Sequence, residues 1–268
     1  MIFAPLFSGS GGNAIYIAEG DTHILVDAGI SGTRIAKELC RIGADPSRLS
    51  GILITHEHTD HISGAGVISR KYNLPVYATA GTWRGMREKI GAVHRDNIGI
   101  LRTGVAFSMG GISVLPFPIS HDAEEPVGYS FSSSDARVAI ATDTGEIQDG
   151  WLSCCEGADL VLLESNYDPG MLRMGPYPYD LKRRIMGTKG HLSNEDAGRA
   201  ASRLIASGVK QLVLGHLSRE NNFPELALRT VTDSLIDAGL TASVDVARRD
   251  GASGIYELRG NICAKKSI

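Results

Sequence analysis

Short apolar runs alternate with longer stretches of helical periodicity along the whole chain. Runs of β-branched or alternating apolar residues predict strands, and apolar residues spaced three and four apart predict helices. Residues 14–18 and 23–27 are predicted to pair across a turn at 19–21, and Gly43 is predicted to end a helix over 33–42. The same patterns predict strands at 51–55, 75–78, 112–116, 127–131, 137–142, 160–164 and 211–215, and helices at 67–72, 83–90, 195–207 and 224–238.

This order of elements predicts an α/β (α+β) fold. Two mixed sheets would carry helices on their outer faces, which gives a four-layer arrangement. The chain has no segment that reads as a linker and no repeat at solenoid periods. We therefore expect residues 1–268 to form a single domain.

Composition narrows the class of protein. With 268 residues, of which 43% are hydrophobic, the chain can bury a full core. The first residues predict neither an export signal nor a membrane-spanning helix. The four cysteines show no Cys-x-x-Cys spacing, which is typical of reduced thiols, so a cytoplasmic location is expected. A net charge of −3 argues against a globally basic nucleic-acid binder but leaves local patches open.

The densest chemistry lies in residues 55–61, directly after a predicted strand. His56, His58 and His61 stand there with Asp60. In an extended segment the side chains of His56 and His58 project to one side, and a turn or helix start would bring Asp60 and His61 to face the same point. This set suits two metal ions better than one. The metalloprotease motif His-Glu-x-x-His is excluded because position 60 is an aspartate.

Four more polar residues follow apolar strands, namely Asp27, His121, Asp143 and His216. Side chains at the ends of several strands can converge at one edge of a sheet. Taken singly, each has a plain structural explanation as a cap of a turn or helix, or as a loop histidine. Together, and beside the histidine cluster, they predict a metal-binding site.

A local basic patch occurs at residues 173–189, where Lys182, Arg183 and Arg184 stand among prolines and tyrosines. A solvated loop with a helical turn is the more common structure for such a run of charge. The alternative is a segment that covers the site, contacts phosphate and offers tyrosines for stacking. Both interpretations stay open.

Two other segments also have two interpretations. The glycine-rich residues 8–13 form either a turn between strands, which is more common, or a cradle whose backbone N–H groups hold phosphate. Arg219, Asn221 and Asn222 either line a substrate groove or cap a helix that opens near Pro224. Neither segment is needed to predict the metal site.

Seven residues spread along the chain resemble the metal motifs of the metallo-β-lactamase superfamily. They are His56, His58, Asp60, His61, His121, Asp143 and His216. The resemblance implies that superfamily's fold, a four-layer αβ/βα sandwich with a dinuclear metal site at the edges of its two sheets.

Within the superfamily the chain resembles the YycJ/WalJ type. This resemblance implies a metal-dependent nuclease, specifically a 5′-to-3′ double-stranded DNA exonuclease linked to repair. The segments that carry it are GSGGNA at 9–14, LVDAG at 25–29, VISRKY at 67–72, ESN at 164–166 and HLSRENN at 216–222.

The resemblance assigns three ligands to each of two metal ions and one carboxylate to both. The first ion would take His56, His58 and His121, the second Asp60, His61 and His216, and both would share Asp143. Asp60 would also orient the attacking water, and Asp27 would accept a hydrogen bond from a ligand histidine and fix its tautomer. Two divalent ions are therefore expected as cofactors, and these ligands suit zinc, manganese and iron alike.

The ligand set alone does not select a substrate. His191 either introduces a helix or, as in the phosphodiesterase branches it resembles, lies beside the metals with Glu164 as its acidic partner. A protonated histidine could donate a proton to the departing alkoxide or steady the phosphate. This pair and the basic patch favour phosphodiester hydrolysis, with duplex DNA ends as the partner. Substrate contacts are expected from Lys182, Arg183, Arg184, Arg219 and Asn222.

Two alternatives from other functional classes remain. One is a small-molecule hydrolase of the same fold, such as a cyclic phosphodiesterase or thioesterase, and the other is a non-catalytic, metal-stabilised binding module. The complete ligand set disfavours the module. RNA-processing members with an extra domain between the positions of Asp143 and His216 are excluded by length, and a secreted β-lactamase by the lack of an export signal. A membrane partner is not expected, and a homo-oligomer stays open.

Overall fold

A computed structural model describes residues 1–260 and 262–268. Its strands form two sheets of eight and seven strands. The strands are β1 Ile2–Phe7, β2 Ala14–Glu19, β3 Thr22–Val26, β4 Gly51–Leu53, β5 Val76–Thr79, β6 Ile98–Leu101, β7 Phe107–Met109, β8 Ile112–Pro118, β9 Val127–Ser132, β10 Arg137–Ala141, β11 Leu160–Glu164, β12 Gln211–Gly215, β13 Ser243–Val246, β14 Ile255–Arg259 and β15 Ile262–Lys266.

The α-helices connect these strands or follow them. They are α1 Gly32–Arg41, α2 Thr59–Ile62, α3 Ala65–Tyr72, α4 Ala80–Met86, α5 Asp149–Cys155, α6 Pro169–Met174, α7 Tyr179–Ile185, α8 Asn194–Ala206 and α9 Pro224–Asp237. Among the described residues, no helix is both long and apolar enough to cross a membrane.

Both sheets are mixed. The first has the order β15-β14-β1-β2-β3-β4-β5-β6, and its strands from β3 to β6 run parallel. The second has the order β13-β12-β11-β10-β9-β8-β7, and its strands from β10 to β13 run parallel. Because parallel strands end at the same edge, each sheet presents several adjacent carboxyl ends from which loops can reach one site.

Alternation of side chains along the strands builds three apolar layers. In β3, Ile24 and Val26 face the core between the sheets, whereas Leu25 faces the helices α1, α3 and α4. In β12, Val213 faces the same central core, and Leu212 packs with α5, α8 and α9. The result is the predicted order of helices, sheet, sheet and helices.

The structure confirms the main predicted elements and shifts some of their bounds. The helix predicted at 83–90 is α4, which begins earlier because the Thr79 side chain caps it by accepting from the Thr82 amide. The helix predicted at 33–42 is α1, and the following Gly43 has a φ of 80° that suits its end. The prediction did not include β1, β6, β7, β13, β14, β15, α5, α6 or α7.

Gly29 allows two loops to approach closely beside the end of β3. A Cβ atom at this position would lie 1.5 Å from the Asp60 carbonyl oxygen and 2.7 Å from the Asn13 amide nitrogen. These amide and carbonyl groups are already joined by a 2.8 Å hydrogen bond, and the Gly29 amide donates to the Asn13 carbonyl. The glycine therefore sets the position of the loop that carries Asp60.

Gly29→Ala is expected to lower the free energy of unfolding by about 3 kcal/mol, because the clash is with backbone and no rotamer change relieves it. Denaturant titration measures this. Gly150→Ala is the matched control, since a Cβ atom there meets nothing within 4 Å and the site lies in α5. An equal, small effect of the two substitutions would contradict the packing argument.

Candidate metal centre

The candidate residues lie where strands of both sheets end. Asp27 follows β3, residues 55–61 follow β4, Asp143 follows β10 and His216 follows β12. Three of these, Asp27, Asp143 and His216, have φ of 58°, 58° and 54°, in the left-handed region that non-glycine residues rarely occupy. Such conformations persist where the surroundings hold them, and they are common at functional sites.

One group of three histidines forms at the ends of β4 and β8. His56, His58 and His121 place ring nitrogens within 4.8 Å of one another, close enough to hold one metal ion. The Nε2 atom of His121 lies 3.2 Å from Nδ1 of His58. As the sequence predicts, residues 56 and 58 of the extended segment turn to the same side.

A second group forms one turn later. Helix α2 begins after His58 and brings Asp60 and His61 round to meet His216. The Oδ2 atom of Asp60 lies 3.6 Å from Nε2 of His61 and 3.6 Å from Nε2 of His216. The predicted helix start after the extended segment is thus confirmed.

The Asp143 carboxylate lies between the two groups. Its Oδ2 atom is 3.4 Å from Nε2 of His61 and 2.8 Å from Nδ1 of His216, and its Oδ1 atom is 3.9 Å from Nε2 of His121. The side chain is almost fully buried. One carboxylate therefore faces histidines from both groups.

Neighbouring groups orient the histidines. Asp27 accepts from Nδ1 of His61 at 2.8 Å, and its other oxygen accepts from the Thr55 amide at 2.9 Å. Nδ1 of His121 donates to the Gly190 carbonyl at 3.1 Å. In both histidines the hydrogen on Nδ1 leaves Nε2 as the atom that faces the site and binds a metal ion once it carries no proton of its own.

His56 shows most directly that the site fits a metal ion. It is fully buried, and burial followed by the nearby His61 lowers the pKa of its ring well below the ordinary value, so the ring is neutral. Its Nε2 atom is buried and makes no hydrogen bond within the described residues. A buried nitrogen without a partner is costly, and a cation would satisfy it.

In the second ligand group the pKa of a buried histidine is raised, whereas that of His56 is lowered. Burial of His61 disfavours its charged form, but the carboxylates of Asp143, Asp27 and Asp60 outweigh this and raise the pKa of His61 to about 9. The ion-free ring therefore holds a proton that an incoming cation would replace. The three carboxylates make this end of the site suitable for a second positive charge.

His191 and Glu164 form a pair at the edge of the site. Nδ1 of His191 lies 2.7 Å from Oε1 of Glu164 and 3.7 Å from Oδ1 of Asp143. Although burial lowers the pKa of His191, the Glu164 carboxylate outweighs this and raises it. Glu164 Oε2 accepts from the Thr144 and Leu192 amides, which fixes the carboxylate in place.

Asp143, Glu164, His191 and His216 also lie close enough to form a different ligand group. The two groups of three described above are better ligand sets, because both oxygens of Glu164 are already engaged with His191 and two backbone amides. Those groups also contain the buried nitrogen of His56 that lacks a partner.

A cavity of about 180 Å³ opens beside His121 and His191, with Tyr177 and Arg184 in its walls. A larger cavity of about 620 Å³ lies between α4 and β6, but none of the candidate ligands lines it. The smaller cavity is therefore the better candidate for substrate, since it borders the polar groups that could act on a bond.

Asp122 also lies at the site, although no sequence motif predicts it. Its carboxylate accepts from Nε of Arg184 at 2.5 Å, and its Oδ1 atom lies 3.7 Å from Nε2 of His58 and 3.6 Å from Nε2 of His121. It thereby joins α7 to the first histidine group. The only available signal was its place next to His121.

The predicted substrate residues occupy different environments. Arg184 reaches the cavity beside His191, whereas Nζ of Lys182 donates to the carbonyls of Arg173 and Gly175 at the end of α6. The Arg183 guanidinium lies over the Tyr179 ring. All three basic residues therefore lie in α7, and Arg184 is the one of the three that lines this cavity.

Asn222 lines neither the cavity beside His191 nor the larger cavity between α4 and β6. Its side chain is buried, and its amide donates to the carbonyls of Ser165 and Asn166 and to the Asn194 side chain. Arg219, by contrast, is exposed and lines a neighbouring cavity. Substrate contact by Arg219 stays a prediction, whereas the hydrogen bonds of Asn222 tie neighbouring segments of the chain together.

The fold and the histidine-rich edge define a class of protein. A model of the beta-lactamase superfamily domain matches residues 22–217, so the chain belongs to that superfamily. The metallo-β-lactamase fold protein YhfI from Bacillus subtilis has the same fold, with a TM-score of 0.74 over 96% of this chain and 100% of that one, at 16% identity. Membership places the chain among the metal-dependent hydrolases, for which divalent metal binding is expected.

Sequence similarity narrows the family further. The chain is 43% identical to the exodeoxyribonuclease YycJ of Bacillus anthracis over 88% of this chain and 90% of that protein. It is 42% identical to the exodeoxyribonuclease WalJ of Streptococcus pneumoniae over 91% of each. The chain belongs to the family of these two proteins, as the sequence motifs predicted.

Proposed function

We propose that this chain is a metal-dependent exonuclease that degrades duplex DNA from 5′ ends. The observation that carries the proposal is the Asp143 carboxylate, which lies within 4 Å of histidines from both candidate ligand groups. Two ligand groups that share one carboxylate fit a pair of metal ions held close together, as in the two-metal sites of phosphatases and nucleases. The family relatives, both exodeoxyribonucleases, support DNA as the substrate.

In this proposal one divalent ion is held by the first histidine group and the other by the second. The ligands are His56, His58 and His121 for one, Asp60, His61 and His216 for the other, and Asp143 for both. Bound divalent ions supply Lewis acidity toward a phosphoryl oxygen and make water acidic near neutral pH. Zinc and manganese fit this donor set, and iron is also compatible with it.

Residues around the ligands keep them in the binding form. Asp27 holds the Nδ1 hydrogen of His61, and the Gly190 carbonyl holds that of His121. Each ring is thereby fixed with Nε2 toward the site. Asp60, which is about one-quarter exposed, also lies at the mouth, where it can orient a water molecule.

His191 is proposed as the group that serves the leaving oxygen. Glu164 holds its Nδ1 hydrogen, so Nε2 is the atom from which the imidazolium donates a proton to the departing alkoxide. The same positive ring also attracts the phosphate before the bond breaks. Thioesters and β-lactams depend less on such a donor, which is why the pair favours phosphodiester chemistry.

Two further proposals concern the whole chain. Residues from both sheets share the core between them, which supports one domain over 1–268. All four cysteines are free thiols, which fits a reducing, cytoplasmic location. Links to DNA repair are proposed from the family resemblance alone.

The proposal is tested by incubating the metal-loaded protein with linear, 5′-phosphorylated duplex DNA and Mn²⁺. We expect release of nucleotides from the 5′ ends and loss of activity on addition of a chelator, with recovery when Mn²⁺ or Zn²⁺ is restored. Chromogenic phosphodiester and thioester substrates are run beside the DNA. Rapid thioester cleavage without DNA degradation would overturn the proposal in favour of a small-molecule hydrolase.

A further inference from the structure

A second cavity, of about 390 Å³, adjoins the one at His191 and shares Ser10 and Tyr177 with it. Three arginines from separate parts of the chain line this second cavity. They are Arg34 in α1, Arg219 after β12 and Arg249 after β13. Such convergence from distant segments concentrates positive charge in a chain whose net charge is −3. We call this cavity the arginine pocket.

Donor groups in the arginine pocket remain available for a ligand. Arg219 makes no hydrogen bond or ion pair with the part of the chain that the structure describes. Arg249 donates from Nη2 to the Ser218 carbonyl at 3.3 Å, but its Nε atom is buried and lacks a partner within the same part. A buried guanidinium nitrogen without an acceptor is costly, and a water molecule or a bound anion would satisfy it.

Arg34 is held in position. Its guanidinium lies 5.1 Å from the centre of the Phe7 ring, and Nη2 lies 3.2 Å from Oδ1 of Asp250. The Arg34–Asp250 pair is solvent-exposed and therefore weak, so a phosphate oxygen can compete with Asp250 for the arginine. Glu220 is the other acid in the walls, which leaves three arginines against two carboxylates.

The glycine-rich turn adds backbone donors to the same wall. The Gly12 amide donates to the Gly9 carbonyl and the Gly9 amide to the Asn13 side chain. The amides of Ser10 and Gly11, however, donate to no other described residue. Successive free amides in a turn attract anions. The turn also lines a hollow that includes Asp60, so the arginine pocket adjoins the candidate metal centre.

From these contacts we infer that the arginine pocket binds a phosphate group of the substrate strand, at a distance from the bond that is cleaved. Guanidinium forks and turn amides match phosphate oxygens in geometry and charge. The inference rests on the proposed nuclease function, because a nucleic acid strand is the ligand that carries phosphates at a fixed spacing. The arginine pocket would raise the affinity of the protein for DNA and fix the position of the protein along the strand.

Arg219→Ala and Arg249→Ala test this directly. Binding of the metal-loaded protein to a short duplex is followed by fluorescence anisotropy, with phosphorothioate linkages at the 5′ ends to prevent hydrolysis. Each substitution is expected to weaken binding about tenfold and to reduce the slope of log K against log salt by about 0.9. Arg229→Ala is the matched control, because Arg229 lies on α9 and pairs with Asp233 away from the site.

Gly11→Asp is a second test that does not depend on removing an arginine. A Cβ atom at Gly11 meets nothing within 4 Å, so the new carboxylate is added without a clash and repels phosphate. We expect binding to weaken about tenfold or more. Gly111→Asp is its control, since that turn glycine is equally open and lies between β7 and β8. Thermal unfolding verifies that each variant is folded.

The 5′-phosphorylated duplex is compared with one that ends in a 5′-hydroxyl. If the pocket holds the terminal phosphate, the effect of Arg219→Ala disappears on the hydroxyl duplex; if it holds an internal phosphate, the effect persists. Either result supports a phosphate site. If both arginine variants and Gly11→Asp bind DNA with the affinity and the salt dependence of the wild type, the inference about the pocket is overturned and the proposed function is unaffected. A wild-type protein that neither binds nor cleaves DNA would overturn the proposed function instead.

Discussion

Asp143→Ala is expected to lower the rate of DNA hydrolysis roughly a thousandfold or more. The carboxylate is nearly completely buried and lies within 4 Å of His61, His121 and His216, so its loss removes the group that the two proposed ions share. Two metal ions held a short distance apart would stabilise both the attacking and the leaving oxygens, which one metal ion alone could not do. The rate on 5′-phosphorylated duplex DNA and the metal content of the purified protein are the measurements.

The metal content separates a catalytic loss from a loss of ligand. We expect Asp143→Ala to retain fewer than two ions per chain after dialysis, because a ligand common to both sites is missing. Asp149→Ala is the control, since that carboxylate in α5 is 89% exposed and, among the described residues, pairs with Arg203 alone. Two tightly bound ions together with a near-normal rate would show that Asp143 is not the shared ligand.

The residues of the candidate site could be predicted from sequence because they are dense and lie at strand ends. His56, His58, Asp60 and His61 occupy one turn, and the start of α2 after an extended segment is a local consequence of that sequence. Asp122 could not be predicted this way. Its role at the site depends on Arg184, which is 62 positions away, and no local pattern encodes that pairing.

The same limit explains why the sequence could not place the Asn222 side chain. An asparagine near a ligand histidine can face either the groove or the protein, and only the tertiary structure decides. Here the loop after β11 and the first residue of α8, Asn194, present oxygens that accept hydrogen bonds from the buried Asn222 amide. A buried amide without partners would cost free energy. Because these hydrogen bonds offset that cost, the Asn222 side chain lies inside the protein and not at its surface.

The fold was predictable where strands are buried on both faces and less so at the sheet edges. β11 and β12 are fully buried and read as continuous apolar runs. β13 is largely half-buried, and β14 alternates between half-buried and buried positions. The pairing of β14 with β1 joins segments near opposite ends of the chain, and the Met1 amine donates to the Leu258 carbonyl across 257 positions. Nothing local signals such a contact.

His191→Ala is expected to lower phosphodiester turnover about 100- to 10,000-fold, the range for removal of a positioned acid. Metal content should remain that of the wild type, because His191 is not among the proposed ligands. His94→Ala is the control, as that histidine is 70% exposed and distant from the candidate ligands in sequence. Loss of an ion from His191→Ala would reassign the residue to the ligand set, in the alternative group with Asp143, Glu164 and His216.

Glu164→Gln separates proton donation from mere packing by His191. Glu164 raises the pKa of His191, and a histidine that acts as an acid works only below its pKa. Activity should therefore fall as the pH rises through that pKa, and without the carboxylate this fall should move to lower pH. A packing role predicts a lower rate with an unchanged pH profile. Turnover measured across the pH range at saturating DNA distinguishes the two, since only the acid is sensitive to its carboxylate partner in this way.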